Sequence, residues 1–365
     1  DLHSFPTRRS SDLEPAAGTA ALIIFAVLDD FASAMSDLSG AIDAPERTAK
    51  LSVGVARITH EAEGIRSFEL VRPDGDILPP FTAGAHLKVY LDGGMIRQYS
   101  LCSDPADRRR YEIAVLREES GRGGSVVMHS RMGEGDHLTI SAPVNHFPLA
   151  GRGATGHLLI AGGIGVTPMM AMIAELEAKG ALWTLHYLTR SPERTAFRER
   201  LAPHVATGKV FIHHDNGDPA SGPGFPKLLS DFAIGTHLYY CGPPGFMTAC
   251  GQCVEAWPPH AVHREYFTAA EGRPDASRNT PFEVRLKSSG KVLAVPADHS
   301  IVDVLREAGC EVETDCREGY CGTCITRYLA GEPEHRDTVL SEKERKSYLM
   351  VCCARAKSAS LELDL

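Results

Sequence analysis

The chain has 365 residues, of which 43% are hydrophobic and 23% charged, and its formal net charge is −9. That length allows two or three domains of ordinary globular composition. The acidic balance without a basic tract argues against a nucleic-acid partner, and no apolar run reaches the roughly 18 residues that a membrane span needs. Ten cysteines without a convincing secretory signal favour a reducing, cytoplasmic compartment and cofactor chemistry over a disulfide framework.

Residues 1–48 differ in character from the rest of the chain. The stretch from His3 to Leu13 resembles one reading frame of a common sequencing adapter. We therefore expect a non-native or disordered N-terminal extension, with Met35 as a plausible true start. The apolar run from Ala16 to Leu28 also fits the core of a secretory signal, and a short frayed helix is the other interpretation of that run.

Residues 49–150 have the pattern of a small antiparallel β-barrel. Short alternating runs such as Leu87 to Leu91 are separated by turn sequences such as Asp92-Gly93-Gly94, and closely spaced strands with little helix are typical of barrels. Arg97 and Tyr99 lie two positions apart, so a strand would place a cation and an aromatic ring on one face. Such a pair can hold a phosphate and cover a ring system, although a surface cross-strand pair gives the same pattern.

A glycine-rich turn, Gly121-Arg122-Gly123-Gly124-Ser125, precedes a short helical pattern that starts at Val126. The free N–H groups of such a turn and the positive end of the helix suit a phosphate. A flexible hairpin tip is the alternative, and the turn by itself does not decide between the two.

Residues 151–272 alternate strand and helix patterns, which predicts a parallel α/β sheet. The strand run His157 to Ala161 enters Gly162-Gly163-Ile164-Gly165-Val166-Thr167-Pro168 and then a helix from Met169 to Lys179. This order is the one that places a pyrophosphate at a helix N-terminus. Cys241-Gly242-Pro243 ends a later strand, and ligands of such sheets lie beyond the carboxyl ends of the strands. The alternatives are a turn without a ligand and a Cys241 that is a small buried side chain.

Residues 281–365, after a polar linker at 273–280, contain the most specific pattern of the chain. Its spacing, C-x4-C-x2-C…C, is that of a plant-type [2Fe–2S] cluster. The candidate ligands are Cys316, Cys321, Cys324 and one of Cys352 and Cys353. Gly319 and Gly322 can adopt positive φ, which lets backbone N–H groups approach the cluster sulfides. A structural zinc site is the alternative, but such sites usually have two short C-x2-C pairs and the second is missing.

Around the cysteine pattern the sequence predicts an α+β module. We expect a hairpin from Phe282 to Val295, a helix from Ile301 to Ala308 capped by Ser300, and a further helix that begins at Ser341 in capping-box style.

Three other cysteines are interpreted as packed thiols. Cys250 and Cys253 have a thioredoxin-like C-x2-C spacing. They fall inside a predicted helix rather than at its start, where a thiolate would be stabilised. Cys310 lies outside the cluster pattern.

Together these motifs resemble the phthalate dioxygenase reductase and vanillate demethylase reductase family. R-x-Y-S at 97–100, G-R-G-G-S at 121–125 and P-V-N-H-F at 143–147 are similar to the flavin domain of the ferredoxin-reductase superfamily, and G-G-I-G-V-T-P with C-G-P is similar to its nucleotide domain. The resemblance covers residues 49–365. It implies an FMN-binding antiparallel β-barrel at 49–150, an NAD-binding α/β parallel-sheet domain at 151–272 and a β-grasp-like [2Fe–2S] ferredoxin domain at 281–365.

The resemblance also implies site residues. Ser100 would approach the flavin N5 edge, while Thr167 and Cys241 would face the nicotinamide, and these three are the candidate catalytic residues. The fourth cluster ligand would follow the Met-Val pair, at Cys352. The implied cofactor-binding set is Arg97, Tyr99, Ser100, Gly123, Gly124, Ser125, Gly162, Gly163, Gly165, Thr167, Arg190, Cys241, Gly242, Pro243 and Phe267.

The function implied by the resemblance is the reductase component of a two-component Rieske-type aromatic oxygenase or demethylase. Electrons would pass from NADH to FMN, then to the [2Fe–2S] cluster, then to a separate oxygenase, and the reductase would be a monomer. NADPH stays open because Arg190 or Arg194 could meet an adenosine phosphate. A free-standing flavin or ferric reductase and a ferredoxin-like carrier on an inert scaffold are the alternatives, and the intact cysteine and glycine motifs speak against each.

Overall fold

The computed structural model describes residues 50–151, 153–230, 233–254, 256–268, 278–314, 316–340 and 343–365. The expectations for residues 1–48 and for most of the 273–280 linker lie outside the described residues. All the described residues belong to one compact unit, which begins at residue 47.

The first sheet of this unit is an antiparallel barrel. Its order is β4-β3-β6-β1-β2-β5 with β7 beside β3, and a bridge from Leu101, just after β4, to Ile113 on β5 joins the outer strands. Alternate residues such as Val53, Phe68 and Leu87 fill the interior because successive side chains of a strand point to opposite faces. The elements are β1 (Lys50–Ala62), β2 (Ile65–Val71), β3 (Ala85–Leu91), β4 (Met95–Ser100), β5 (Arg110–Leu116), α1 (Gly124–Arg131), β6 (His137–Ser141) and β7 (Val144–Asn145).

The second sheet is parallel throughout, in the order β10-β9-β8-β11-β12. The helix that follows β8 (Gly156–Gly162) starts at Val166, three residues earlier than predicted, because a 3-10 turn at Gly163–Gly165 leads straight into it. Pro168 lies in its first turn, where a missing N–H costs nothing. The elements are β8 (Gly156–Gly162), α2 (Val166–Ala178), β9 (Trp183–Thr189), α3 (Arg198–Ala206), β10 (Val210–His214), α4 (Phe225–Leu229), β11 (Thr236–Gly242), α5 (Pro244–Gln252) and β12 (Val262–Tyr266).

The third module is a mixed sheet in the order β14-β13-β19-β15-β17, with β13 and β19 parallel. Helix α6 packs on it through Ile301, Val302 and Leu305. The elements are β13 (Phe282–Leu286), β14 (Val292–Val295), α6 (Ile301–Glu307), β15 (Ile325–Ala330), β16 (Pro333–Glu334), β17 (Tyr348–Met350), β18 (Arg355–Ala356) and β19 (Ser360–Leu363). The predicted fold class, a barrel followed by a parallel α/β sheet and an α+β module, is confirmed.

Of the two helix starts predicted in this module, one is confirmed and the other is not. Ser300 caps α6, as predicted, and the structure shows that it does so in a reciprocal capping box with Asp303. Ser341, the proposed start of the later helix, lies outside the described residues. The residues that follow form a 3-10 turn at Glu344–Lys346 and then β17. Pairing of β17 with β15 and burial of its apolar side chains outweigh the local helical signal, because tertiary context overrides weak propensity.

Within the described ranges, none of the helices combines the length and the apolar character that crossing a membrane requires.

Candidate functional site

A cleft of about 410 Å³ lies between the barrel, the parallel sheet and the loop that runs from Cys316 to Cys324. We call this loop the cysteine loop. It brings together predicted residues that are far apart in sequence. Those that line it are Arg97, Tyr99, Ser100, Gly124, Ser125, Thr167, Phe267 and Cys321. One cleft therefore collects most of the flavin candidates, part of the nicotinamide candidates and one cluster ligand candidate.

The barrel side of the cleft is a cradle around Arg97. Gly123 has φ +79 and Gly124 opens α1. A Cβ on Gly124 would lie 2.5 Å from Cγ and Nε of Arg97, so glycine lets the arginine lie against the first turn of the helix. Arg97 donates to the carbonyl of Ile96 at 2.7 Å. A cation held at a helix N-terminus suits the phosphate of a flavin mononucleotide, and the residues present fit that group.

The carboxyl group of Glu265 also lines the cleft. Ser100 Oγ donates to Glu265 Oε2 at 3.3 Å, and His86 Nδ1 lies 3.9 Å from Glu265 Oε1. The Glu265 side chain is 13% exposed. Burial raises its pKa to about 8, against the opposing effect of the Ser100 hydrogen bond, so this carboxyl holds a proton at neutral pH. The predicted site set omitted Glu265, although it contains Phe267, two residues later in the chain.

Cys241 does not line the cleft. It pairs with Glu265 in the register of β11 and β12 and is fully buried. Burial, and then the charge of Glu265, raise the pKa of its thiol well above the usual value. A Cβ on Gly165 would lie 2.2 Å from the Cys241 carbonyl oxygen, so the glycine permits the close packing of the turn on β11. Thr167 Oγ1 donates to the carbonyl of Ile164 at 3.0 Å.

The remaining nucleotide candidates lie at the carboxyl edge of the sheet, outside the cleft lining. Gly162 and Gly242 lie beneath the Phe246 ring, since a Cβ on either would come within 2.7 Å of ring carbons. Pro243 caps α5 and Gly163 has φ +53. Arg190 is exposed just after β9, whereas Arg194 is paired with Glu63 at 2.8 Å.

The cysteine loop gathers buried thiols. Cys316, Cys321, Cys324 and Cys352 are each at most 7% exposed. The Cys316 thiol lies within hydrogen-bonding reach of Cys321 and Cys352, and Cys352 within reach of Cys324. The backbone N–H of Glu318 donates to Cys316 Sγ at 3.2 Å. In the part of the chain that the structure describes, the side chains form no group of three or more His, Cys, Asp or Glu suited to a single metal ion.

Two glycines shape this loop. Gly319 has φ +77, and a Cβ there would lie 2.5 Å from Cys353 Sγ and 3.1 Å from Cα of Asp337. Gly322 has φ +73, and a Cβ there would lie 3.0 Å from Nε2 of His146 on the barrel side. A loop of positive-φ glycines around buried thiols fits a thiolate-held [2Fe–2S] cluster.

Cys352 and Cys353 differ in their contacts, although the two thiols lie within hydrogen-bonding reach of each other. The Cys352 thiol lies among the other candidate ligands. Cys353 is half-buried, and its thiol donates to the Met350 carbonyl at 3.8 Å. Cys250 lies near the end of α5, where burial raises its pKa to about 12, and Cys310 packs against the core of the third module.

Side chains from the barrel tie it to the cysteine loop. Gln98 Nε2 donates to the Cys321 carbonyl and to Thr323 Oγ1, both at 2.7 Å. Lys88, the cross-strand neighbour of Gln98, pairs with Glu313 at 2.8 Å. Sequence reasoning missed these contacts. Position 98 is the variable place in R-x-Y-S, so the sequence carries no signal for its partner.

Comparison with known proteins gives a consistent result. Residues 284–357 match a family model described as a 2Fe-2S iron-sulfur cluster binding domain. The chain is 48% identical over 324 residues to a tert-butanol monooxygenase / tert-amyl alcohol desaturase reductase subunit from Aquincola tertiaricarbonis, covering 86% of this chain and 96% of that one. It is 46% identical over 312 residues to a vanillate O-demethylase oxidoreductase from Pseudomonas sp. (strain HR199 / DSM 7063), covering 83% and 96%.

A solved structure of phthalate dioxygenase reductase is 43% identical to this chain. It superimposes with a TM-score of 0.65, covering 88% of this chain and 100% of that one. Its published description is a modular structure for electron transfer from pyridine nucleotides to [2Fe-2S].

Proposed function

The chain belongs to the phthalate dioxygenase reductase and vanillate demethylase reductase family of oxidoreductases, and from that premise we propose that it is the reductase component of a two-component Rieske-type aromatic oxygenase or demethylase. It takes electrons from NADH through FMN to a [2Fe–2S] cluster and delivers them to a separate terminal oxygenase. The relatives are named as reductases of phthalate, vanillate and tert-butanol oxygenase systems.

One observation carries this proposal: Cys321, a ligand candidate, lines the same cleft as Arg97, Tyr99 and Ser100. A ligand beside the flavin-binding residues gives electrons a short path between the two groups. A free-standing flavin or ferric reductase would have no use for buried thiols at that wall. The contact therefore favours the oxygenase reductase over the alternative.

The chain's own side chains have defined tasks in this mechanism. Bound FMN would accept a hydride from NADH and release single electrons, and the cluster would carry them one at a time. Arg97 and the first turn of α1 bind the phosphate, and Tyr99 packs on the flavin ring. Ser100 orients the reacting edge of the ring, while Glu265 holds a proton on its carboxyl. The cleft walls exclude water and fix the reacting groups, which supplies most of the rate when no acid–base step is needed.

Several finer assignments belong to the same proposal. The domain limits are 49–150, 151–272 and 281–365, and the ligands are Cys316, Cys321, Cys324 and Cys352. NADH is favoured over NADPH by the family resemblance; of the two arginines that could meet an adenosine phosphate, Arg194 is paired with Glu63 and Arg190 is exposed after β9. The protein would work as a cytoplasmic monomer. Size-exclusion chromatography with light scattering tests the last point.

The test of the function is an anaerobic NADH titration of purified, cluster-loaded protein, followed by absorbance and EPR. Bleaching of a flavin band together with the signal of a reduced [2Fe–2S] cluster is the expected result. Flavin bleaching without a cluster signal would favour the free-standing reductase. Reaction with NADPH but not NADH would correct the nucleotide and leave the route intact.

A further inference from the structure

Gln98 lies on the strand that carries Arg97 and Tyr99, yet its amide contacts the cysteine loop. Lys88 and Gln98 are opposite each other in the register of β3 and β4, so their side chains leave the same face of the barrel. Lys88 reaches Glu313 and Gln98 reaches Cys321 and Thr323. This face holds the cysteine loop against the barrel.

The orientation of the Gln98 amide is fixed by its partners. The Cys321 carbonyl can only accept, so the amide must present its NH2 group there rather than its oxygen. The second N–H of the same group is then directed at Thr323 Oγ1, 2.7 Å away. Because Thr323 accepts from Gln98 with its lone pair, its own proton is left for another acceptor.

That acceptor is the sulfur of Cys321. Thr323 Oγ1 lies 3.4 Å from Cys321 Sγ, and the backbone N–H of Thr323 also donates to this sulfur. When Cys321 is a thiolate it accepts only, so the hydroxyl donates to it. The contacts form a continuous relay from Gln98 Nε2 through the Thr323 hydroxyl to the Cys321 sulfur. Cys321 is also the ligand candidate that lines the flavin cleft.

We propose that Gln98 is a positioning residue that sets the reduction potential of the cluster through the Thr323 hydroxyl. Reduction adds negative charge to the cluster, and hydrogen bonds to its sulfurs stabilise that charge and raise the potential. Gln98, a residue of β4, would thus make a bound cluster a better electron acceptor through Cys321, the ligand candidate that lines the cleft. This inference rests on the proposed function, because it assumes that Cys321 is a cluster ligand.

The experiment is an EPR-monitored redox titration with dithionite and mediators, on holoprotein variants of equal cluster content. Gln98→Met keeps the side-chain length and removes both donors, and Thr323→Val removes the hydroxyl at constant shape. Each is expected to lower the equilibrium constant for cluster reduction up to about tenfold, a shift of about 59 mV to more negative potential for a one-electron couple. Thr323→Ser, which keeps the hydroxyl, is expected to retain the wild-type potential.

The double variant and a matched control separate the relay from a general loosening of the modules. Gln98→Met added to Thr323→Val is expected to shift the potential no further, since the amide acts through the hydroxyl. Lys88→Met breaks the neighbouring cross-module contact and is expected to leave the potential unchanged. An unshifted Gln98→Met, a fully additive double variant, or an equal shift in Lys88→Met would each overturn the proposal. If Gln98→Met does not load a cluster, Gln98→Asn, too short to reach both acceptors, has the same expected shift.

The titration also keeps this inference apart from the proposed function. Dithionite reduces the cluster without NADH or an oxygenase. If the wild-type protein gives no signal of a reducible [2Fe–2S] cluster, the proposed function itself is contradicted. If the wild type gives a normal signal and the variants show no shift in potential, only the proposed role of Gln98 is contradicted.

Discussion

The cysteine loop and the flavin–nucleotide cleft achieve their geometry in different ways. Three of the loop's ligand candidates fall within nine residues, from Cys316 to Cys324, and glycines with positive φ bend the backbone around them. The cleft instead takes its lining from three modules, with residues from His86 to Val339. The residues of a site built from one loop can be predicted from their spacing in the sequence. The residues of a site built between modules depend on how the modules pack.

The largest expected effect concerns the loop, where one thiol decides between cluster and no cluster. Cys352→Ser should abolish the [2Fe–2S] absorbance and EPR signal, because Cys352 lies among the other ligand candidates. Cys353→Ser is the matched control, and it should keep both signals. NADH reduction of the flavin should survive in both variants, since the cleft is left intact. Loss of the cluster in Cys353→Ser with retention in Cys352→Ser would reverse the ligand assignment.

The second test addresses the cleft through packing rather than through a ligand. Gly124→Ala would force a Cβ to 2.5 Å from the Arg97 side chain, so the arginine must move away from the phosphate site. We expect FMN affinity to fall about tenfold, roughly the 1.4 kcal/mol that one charge-assisted contact contributes. Flavin fluorescence on titration measures it. Gly151→Ala, whose Cβ meets nothing within 4 Å, should bind FMN as the wild type does.

Glu265 makes the stability of the cleft depend on pH. Its pKa rises from 4.5 to about 8 in the folded protein, so between these values the folded state holds a proton that the unfolded state has lost. The free energy of unfolding should therefore fall as pH rises through this window, by on the order of 2–4 kcal/mol. Glu265→Gln should abolish the fall. Urea unfolding of the apoprotein at pH 5 and pH 9 measures it, with exposed Glu283→Gln as control. A wild type as stable at pH 9 as at pH 5 would contradict this expectation.

The smallest expected effect also lies on β12, two residues before Glu265, and it has the opposite sign. His263 Nε2 lies 2.9 Å from His237 Nδ1, and its ring stacks on Tyr239 at 4.5 Å. Burial and then the neighbouring histidines lower its pKa from 6.5 to about 4. Stability should therefore be lost as pH falls from 6.5 through 4, by about 1 kcal/mol after solvent screening.

His263→Phe keeps the stack on Tyr239 and should remove this acid sensitivity. Urea unfolding at pH 7 and pH 4.5 measures the change, with exposed His60→Phe as the reference. An acid-induced loss of equal size in wild type and His263→Phe would show that the histidine group does not carry it.

Much of the fold could be predicted from the sequence because the relevant signals are local. Strand alternation identified the barrel, and the G-G-I-G-V-T-P turn located the junction of β8 and α2. Ser300 identified the start of α6. The helix predicted from Ser341 did not appear in the residues that follow it. There a strand pairing with β15, a partner some 20 residues away in sequence, outweighed local propensity.

The sequence by itself determined the order of the modules and the cysteine spacing of the ligand candidates, because these depend on periodicity and on spacing along one loop. Tertiary structure alone decided that Glu265 faces Ser100, that Cys241 is buried away from the cleft lining, and that Gln98 reaches Cys321 across 223 positions of sequence. Contacts between residues so far apart in sequence form only when separate modules pack together. The sequence around a glutamine therefore does not predict which carbonyl its amide will contact.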